Sequence, residues 1–188
     1  MSFEIYSLNS NNQEDFFSLF EADNFGHSRG WGNCFCRYYQ TNCSFEDWMN
    51  RSALVNHEDA SKAIKEGTMH GFLAYENNKC VGWLNASSIL NYPRILVELP
   101  KKYHDSKIAL TICFVIEESH RQKKVASRLL DHAIEHFFSN GYSAMISLPR
   151  NMKLVEQNYR GFKEMYQNRG YTEVEEGILI LKNLLDQQ

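Results

Sequence analysis

The chain has 188 residues, 43% of them hydrophobic and 23% charged, with a formal net charge of −3. One domain of this length buries roughly 70% of its unfolded surface without disulfide support, and the mild acidity excludes the basic footprint on which nonspecific nucleic-acid binding depends. Five cysteines, a start (MSFEIYSLNS) with neither a basic segment nor an apolar signal core, and no apolar run of bilayer length lead to the expectation of a cytoplasmic protein with reduced thiols and no membrane partner.

Phe3–Leu8 alternates as a first strand, and Ser10 or Asn11 is placed to cap a helix carrying Phe16, Phe17 and Phe20. Residues 23–43 (DNFGHSRGWGNCFCRYYQTNC) are rich in glycine, aromatics and cysteine and read as an ordered loop. Ser44-x-x-Asp47, ahead of Trp48 and Met49, is a capping signal for a helical stretch ending near Gly67. His70–Glu76 and Lys79–Ala86 form a hairpin about Asn77-Asn78. Residues 88–105, with Pro93 and Pro100, make a long connection to a buried strand at Ile108–Ile116. A polar break, Glu117-Glu118-Ser119-His120, and a basic cluster, Arg121-Gln-Lys-Lys124, then lead into a helix. Its apolar residues repeat at Val125, Leu129, Ala133 and Phe137, and Asn140-Gly141 closes it. Ser143–Leu148 is a further strand halted by Pro149, Leu154–Arg169 a helix closed by Gly170, and Tyr171–Leu181 a returning strand. Early helices, an antiparallel meander and a strand–helix–strand crossover, with no repeat or linker between them, define one α+β domain over residues 1–188.

A strand that feeds straight into a helix leaves unpaired N–H groups and the positive end of the helix dipole at the junction. Adding Arg121, Lys123 and Lys124 to that junction makes an anion site, so a phosphorylated ligand is expected there. A solvated charge run is the plainer alternative, but cations are unfavourable at that end of a helix and a ligand explains their position.

The run Ile116 to Ala126, followed by Leu129-Leu130, resembles the acetyl-CoA signature of the GNAT acetyltransferase superfamily: a hydrophobic strand end, a short polar turn, Arg/Gln-x-x-Gly-x-Gly/Ala and a helix with paired leucines. Arg121 and Ala126 match the first and last motif positions, while Lys124 stands where the family favours glycine. Tyr166-Gln-Asn-Arg-Gly170-Tyr171 resembles the second signature, Tyr-x-x-x-Gly-Phe/Tyr, so the likeness covers about residues 69–181.

The resemblance implies a mixed, mostly antiparallel sheet with a V-shaped split, flanked by helices on both faces, that transfers an acetyl group from acetyl-CoA to an amine. It places the cofactor along Phe114, Val115 and Ile116 and its pyrophosphate on the turn of Arg121, Gln122, Lys123, Lys124, Val125, Ala126 and Ser127. A lysine at 124 either keeps helical backbone angles and adds charge, or narrows the turn. The resemblance also gives Tyr166 the role of general acid toward the CoA thiolate, a weak base with pKa about 8.5 by analogy with cysteine; packing beside Phe162 and Met165 is the plainer reading of the same residue. The general base stays open among Glu117, Glu118, Glu98, Asp105 and a water chain, with Glu117 nominated at the strand end. No nucleophile–base pair marks a covalent route, so attack is expected to be direct, with Cys113 on the cofactor strand as the exception to watch.

Two further patterns compete. His132-Ala-Ile-Glu135-His136 spells the H-x-x-E-H of inverted zinc peptidases, but it lies on a face shared with Arg128, Asp131 and Ser139 that reads as solvated. Cys34-Phe-Cys36, with Cys43 and His27 nearby, has too tight a spacing for structural zinc and reads as small cysteines among aromatics. No metal is therefore expected. Trp31, Phe35, Tyr38 and Tyr39 are expected to wall the acceptor pocket. The acceptor itself, a small-molecule or peptide amine, is not specified, and a homodimer through a sheet edge or the aromatic N-terminal region is compatible with the pattern. The competing functions are a non-catalytic, CoA-binding regulatory module and, more remotely, a zinc hydrolase.

Overall fold

The computed structural model describes residues 3–22, 24–150 and 158–183. One seven-stranded sheet runs in the order β1-β2-β3-β4-β5-β7-β6. Its strands are β1 (Glu4–Ser7), β2 (Gly71–Glu76), β3 (Lys79–Ser88), β4 (Ile108–Ile116), β5 (Ala144–Ser147), β6 (Thr172–Glu175) and β7 (Ile178–Lys182). Every neighbouring pair is antiparallel except β4 with β5, which are joined through the crossover helix α5 (Val125–Ser139).

Alternation along the strands decides which helix covers which face. Phe72 and Ala74 of β2, with Val81 and Leu84 of β3, meet Val125, Leu129 and Ala133 of α5. Leu73 and Tyr75, with Trp83, point the other way and pack on Phe16, Phe17 and Phe20 of α1 (Gln13–Glu21) and on Ala60, Ala63 and Ile64 of α3 (Ala53–Lys65). The sheet is thus covered by helices on both faces, as the resemblance implied.

The V-shaped split has a local cause. β4 pairs with β5 only from Ile108↔Ala144 to Thr111↔Ser147, yet it continues to Ile116. On its other side the register slips, Asn85 facing Cys113 but Ala86 facing Thr111, so Ile112 is the extra residue of a bulge. Beyond this bulge β4 has lost its parallel neighbour. The chain of residues 158–161 meets it instead, and the Phe114 N–H donates to the Tyr159 carbonyl at 2.6 Å.

Several element boundaries differ from the sequence reading. Asn12, not Ser10 or Asn11, precedes α1. The stretch from Ser44 to Gly67 is two helices, α2 (Phe45–Met49) and α3, because Ser52 supplies a second cap by accepting the Val55 N–H at 3.2 Å. The connection over 88–105 holds a short α4 (Pro93–Glu98), started by its proline. Of the expected 154–169 helix, 154–157 lie outside the described residues and the remainder yields only α6 (Lys163–Gln167). The returning strand is a hairpin, β6–β7, turned at Gly177 with φ +73°.

Gly82 lets α5 start close against β3. A Cβ there would lie 2.7 Å from Val125 and 3.1 Å from Ile116. Gly82→Ala is therefore expected to lower stability by about 1–3 kcal/mol through overpacking, read as a lower denaturant midpoint. An unchanged midpoint would mean that the start of α5 has room to move.

Candidate active site

The split in the sheet opens into a cavity of about 880 Å³. One wall is the end of β4, where Phe114, Val115 and Ile116 all line it. The next is the turn into α5, contributing Arg121, Gln122, Lys124, Val125, Ala126 and Ser127. Lys123 is exposed and outside the lining. The turn is tightly wound: Gln122 has φ +62° and Lys124 φ +67°. Lys124 therefore does not keep helical angles. It occupies the left-handed conformation that a glycine adopts without strain, and directly precedes Val125, the first residue of α5. Among the described residues no side-chain cap closes the start of α5, which leaves its first N–H groups unpaired by such a cap.

Asn24, buried and outside any motif, anchors this turn. Its side chain accepts the Glu118 N–H at 3.1 Å and donates to the Leu19 carbonyl at 2.9 Å, and its own carbonyl accepts from the Arg121 guanidinium. The sequence carried no signal for Asn24, because the contact joins residues 97 apart.

The opposite wall is aromatic. Trp31, Tyr38, Tyr39, Phe45 and Trp48 face the cavity from the 3₁₀ segments Gly26–Cys34 and Tyr38–Gln40 and from α2, and Tyr159 joins them from the segment beside β4. Phe35 does not join them. It turns back to pack on Phe17 and Phe20 and lines a separate cavity beside His57. Its φ of +40° gives the physical reason, since the left-handed bend at Phe35-Cys36 directs the phenyl ring into the α1 core.

Tyr166 lies behind the wall rather than on it. Its side chain is 0% exposed, Met165 and Gly161 line the cavity in its place, and its hydroxyl donates to the Arg160 carbonyl at 2.7 Å. Burial pushes its ionisation well above the ordinary phenol range. Glu117 is also outside the lining; Lys79, which donates to it, and His120 beside it hold its carboxyl below the usual range. His120 itself does line the cavity, and reaches Glu76 at 2.9 Å.

All five cysteines are free thiols, and Cys34, Cys36 and Cys113 line the cavity. The hydrogen bond with Cys36 and burial push the Cys34 thiol up; burial, then the bond to Cys113, does the same for Cys36. His132 and His136 both set their rings against Phe72 at 5.0 and 5.1 Å. Among the described residues no group of three histidines, cysteines or carboxylates is placed to hold a metal ion, and no helix is long and apolar enough to cross a membrane.

Residues 29–171 match the sequence model of the Acetyltransferase (GNAT) family. The chain belongs to that family. The fold of this GNAT domain is shared with an N-acetyltransferase from Staphylococcus aureus Mu50 (12% identity, 97% of this chain and 99% of that one covered, TM-score 0.58). It is shared equally with the PaiA N-acetyltransferase of Thermoplasma acidophilum, whose structure is a complex with coenzyme A (16% identity, 97% and 99% covered, TM-score 0.54). A third similar structure is the ribosomal-protein-S18-alanine N-acetyltransferase of Escherichia coli (12% identity, 96% and 94% covered, TM-score 0.52). Compared by sequence with curated proteins, the GNAT chain finds no significant match. Identities this low carry the fold and not the acceptor.

Proposed function

We propose that this GNAT domain transfers an acetyl group from acetyl-CoA to an amine by direct attack in a ternary complex. The observation that carries the reading is a single cavity bounded on one side by the β4 end and the turn into α5, and on the other by an aromatic wall. Arg121, the amides of Gln122 to Ala126 and the uncapped start of α5 suit a pyrophosphate. Lys124 fits this role through its backbone, because its left-handed angles reproduce what the glycine of the motif supplies.

The acceptor nitrogen attacks the thioester carbonyl, the C–S bond breaks, and the CoA thiolate leaves and takes up a proton. Cys34 and Cys36, both lining the cavity, have their thiols pushed up, Cys34 by its bond to Cys36 and by burial, Cys36 by burial and by its bond to Cys113, which favours direct attack over transfer through either of them. Among the described lining residues there is no aspartate or glutamate. The amine therefore reaches the site as free base or loses its proton to water or to His120, which lines the cavity, and Glu117 serves the turn through Lys79 and His120 rather than the acceptor. Tyr166 acts through the Arg160 carbonyl that it holds, as a positioning residue.

The test is thermal unfolding with and without acetyl-CoA, joined to release of CoA thiol over a panel of amines. Acetyl-CoA at about a hundred times its Kd is expected to add roughly 2.7 kcal/mol, and at least one amine to release CoA. Stabilisation without release from any amine would leave a CoA-binding module. No stabilisation would remove the cofactor assignment.

A further inference from the structure

Arg160 is a buried charge with an unusual set of partners. It is 4% exposed, and among the described residues no carboxylate pairs with it. Its Nη2 donates to the Tyr39 hydroxyl at 2.6 Å and its Nη1 reaches the Leu148 carbonyl at 3.5 Å, while Nε has no acceptor among the described residues. The guanidinium lies 5.1 Å from the ring centre of Tyr39 and 5.9 Å from that of Tyr159. Aromatic faces offset part of the cost of burying a cation, on the order of 0.5–2 kcal/mol. They do not neutralise it.

The hydrogen inventory gives this charge a direction. A guanidinium only donates, so the Tyr39 oxygen is an acceptor toward Arg160. The Tyr39 and Tyr159 hydroxyls are 2.8 Å apart and share one hydrogen between them. One hydroxyl hydrogen remains. Both tyrosines line the cavity, and Tyr159 is the less buried of the two, so the remaining hydrogen faces the cavity there. Burial keeps Tyr39 protonated against the pull of Arg160, which preserves the chain of donors. The result is a hydroxyl donor polarised by a buried positive charge, at the aromatic wall of the cavity.

The surroundings suit an apolar body. Trp31 sets its ring edge-on to Tyr159 at 5.2 Å, and Phe45 and Met49 line the cavity although 64% and 66% exposed. An acceptor with several ammonium groups would meet no carboxylate among the described lining residues. An acceptor with a carboxylate would take the hydrogen that Tyr159 offers at the end of the donor chain from Arg160, and a hydrogen bond to a charged group of this kind is worth more than a neutral one.

Resting on the acetyl-transfer reading, we propose that Tyr159, backed by Arg160 through Tyr39, is a carboxylate subsite, and that the acceptor is the amine of an amino acid with an aromatic or other large apolar side chain.

The experiment compares L-phenylalanine and L-tryptophan with phenethylamine and tryptamine, which lack only the carboxylate, and adds spermidine as a polyamine. CoA release is measured at matched fractions of free amine. The kcat/KM for each amino acid is expected to exceed that of its decarboxylated partner by about tenfold or more, largely in KM. In Tyr159→Phe, an isosteric change whose folding is checked by thermal unfolding, that ratio is expected to fall toward one. Isothermal titration of phenylalanine against phenethylamine reads the same preference without turnover. Equal use of the two, better use of spermidine, or a ratio unchanged in Tyr159→Phe would overturn the subsite. Failure of acetyl-CoA to stabilise the protein would instead remove the acetyl-transfer reading, and the titration would still decide the subsite.

Discussion

Arg121→Ala is expected to raise the Kd for CoA by about tenfold or more, while Lys124→Gly changes it by less than about threefold. Both residues are cations in the same turn, and a reading based on charge alone would treat them alike. The structure separates them. Arg121 donates to the Asn24 carbonyl, and Asn24 in turn holds the Glu118 N–H and the end of α1. Removing Arg121 therefore takes away a charge that lines the proposed phosphate site and loosens the turn that leads into α5. Lys124 contributes chiefly a left-handed peptide, which glycine adopts at least as well. Relief of that conformation, worth roughly 1 kcal/mol, is offset in part by the greater freedom of glycine in the unfolded chain, so the thermal midpoint of Lys124→Gly is expected to hold or rise slightly. Titration calorimetry with CoA at two salt concentrations checks both variants. A larger loss in Lys124→Gly than in Arg121→Ala would show that the side-chain charge at 124, not its backbone, holds the phosphates.

The contrast also shows what a sequence carries and what it does not. β4 and α5 were legible because a buried apolar run and a 3.6-residue repeat are local patterns, and Asn140-Gly141 marks the end of α5. The turn between them was legible as a basic, polar break for the same reason. The conformation of Lys124 was not: a lysine gives no sign of a positive φ, and it is the close packing of Val125 on Gly82 that fixes where the helix begins. The N-terminal aromatics were legible as a wall in composition only. Trp31 and Tyr39 face the cavity and Phe35 does not, because a left-handed bend of two residues reverses its direction. Tyr159 and Arg160 went unnoticed altogether. Their partner is Tyr39, about 120 residues earlier, and no local spacing encodes such a contact.

Tyr166→Phe is expected to lower stability by about 1–3 kcal/mol, because the buried Arg160 carbonyl loses its donor, and to reduce kcat by less than about tenfold. A general acid would behave otherwise. Loss of a proton donor to the leaving group costs about 10²- to 10⁴-fold in rate with little effect on folding. The geometry favours the smaller effect on rate. The Tyr166 hydroxyl is already committed at 2.7 Å, its ring is wholly buried, and Gly161 and Met165 stand between it and the cavity. A thiolate leaving group makes modest demands on an acid, so water at the site suffices. Where Tyr166 does act is on the backbone of residues 159–161. It fixes the Arg160 carbonyl, and so the Arg160–Gly161 peptide that follows Tyr159 and carries the guanidinium bonded to Tyr39. The variant is therefore expected to raise the acceptor KM more than it lowers kcat, with the pH profile of kcat unchanged in shape. Thermal unfolding and steady-state kinetics on the same preparation distinguish the two roles. A hundredfold fall in kcat at an unchanged melting temperature would place the Tyr166 hydroxyl at the reacting sulfur and require the segment over 159–161 to move when CoA binds.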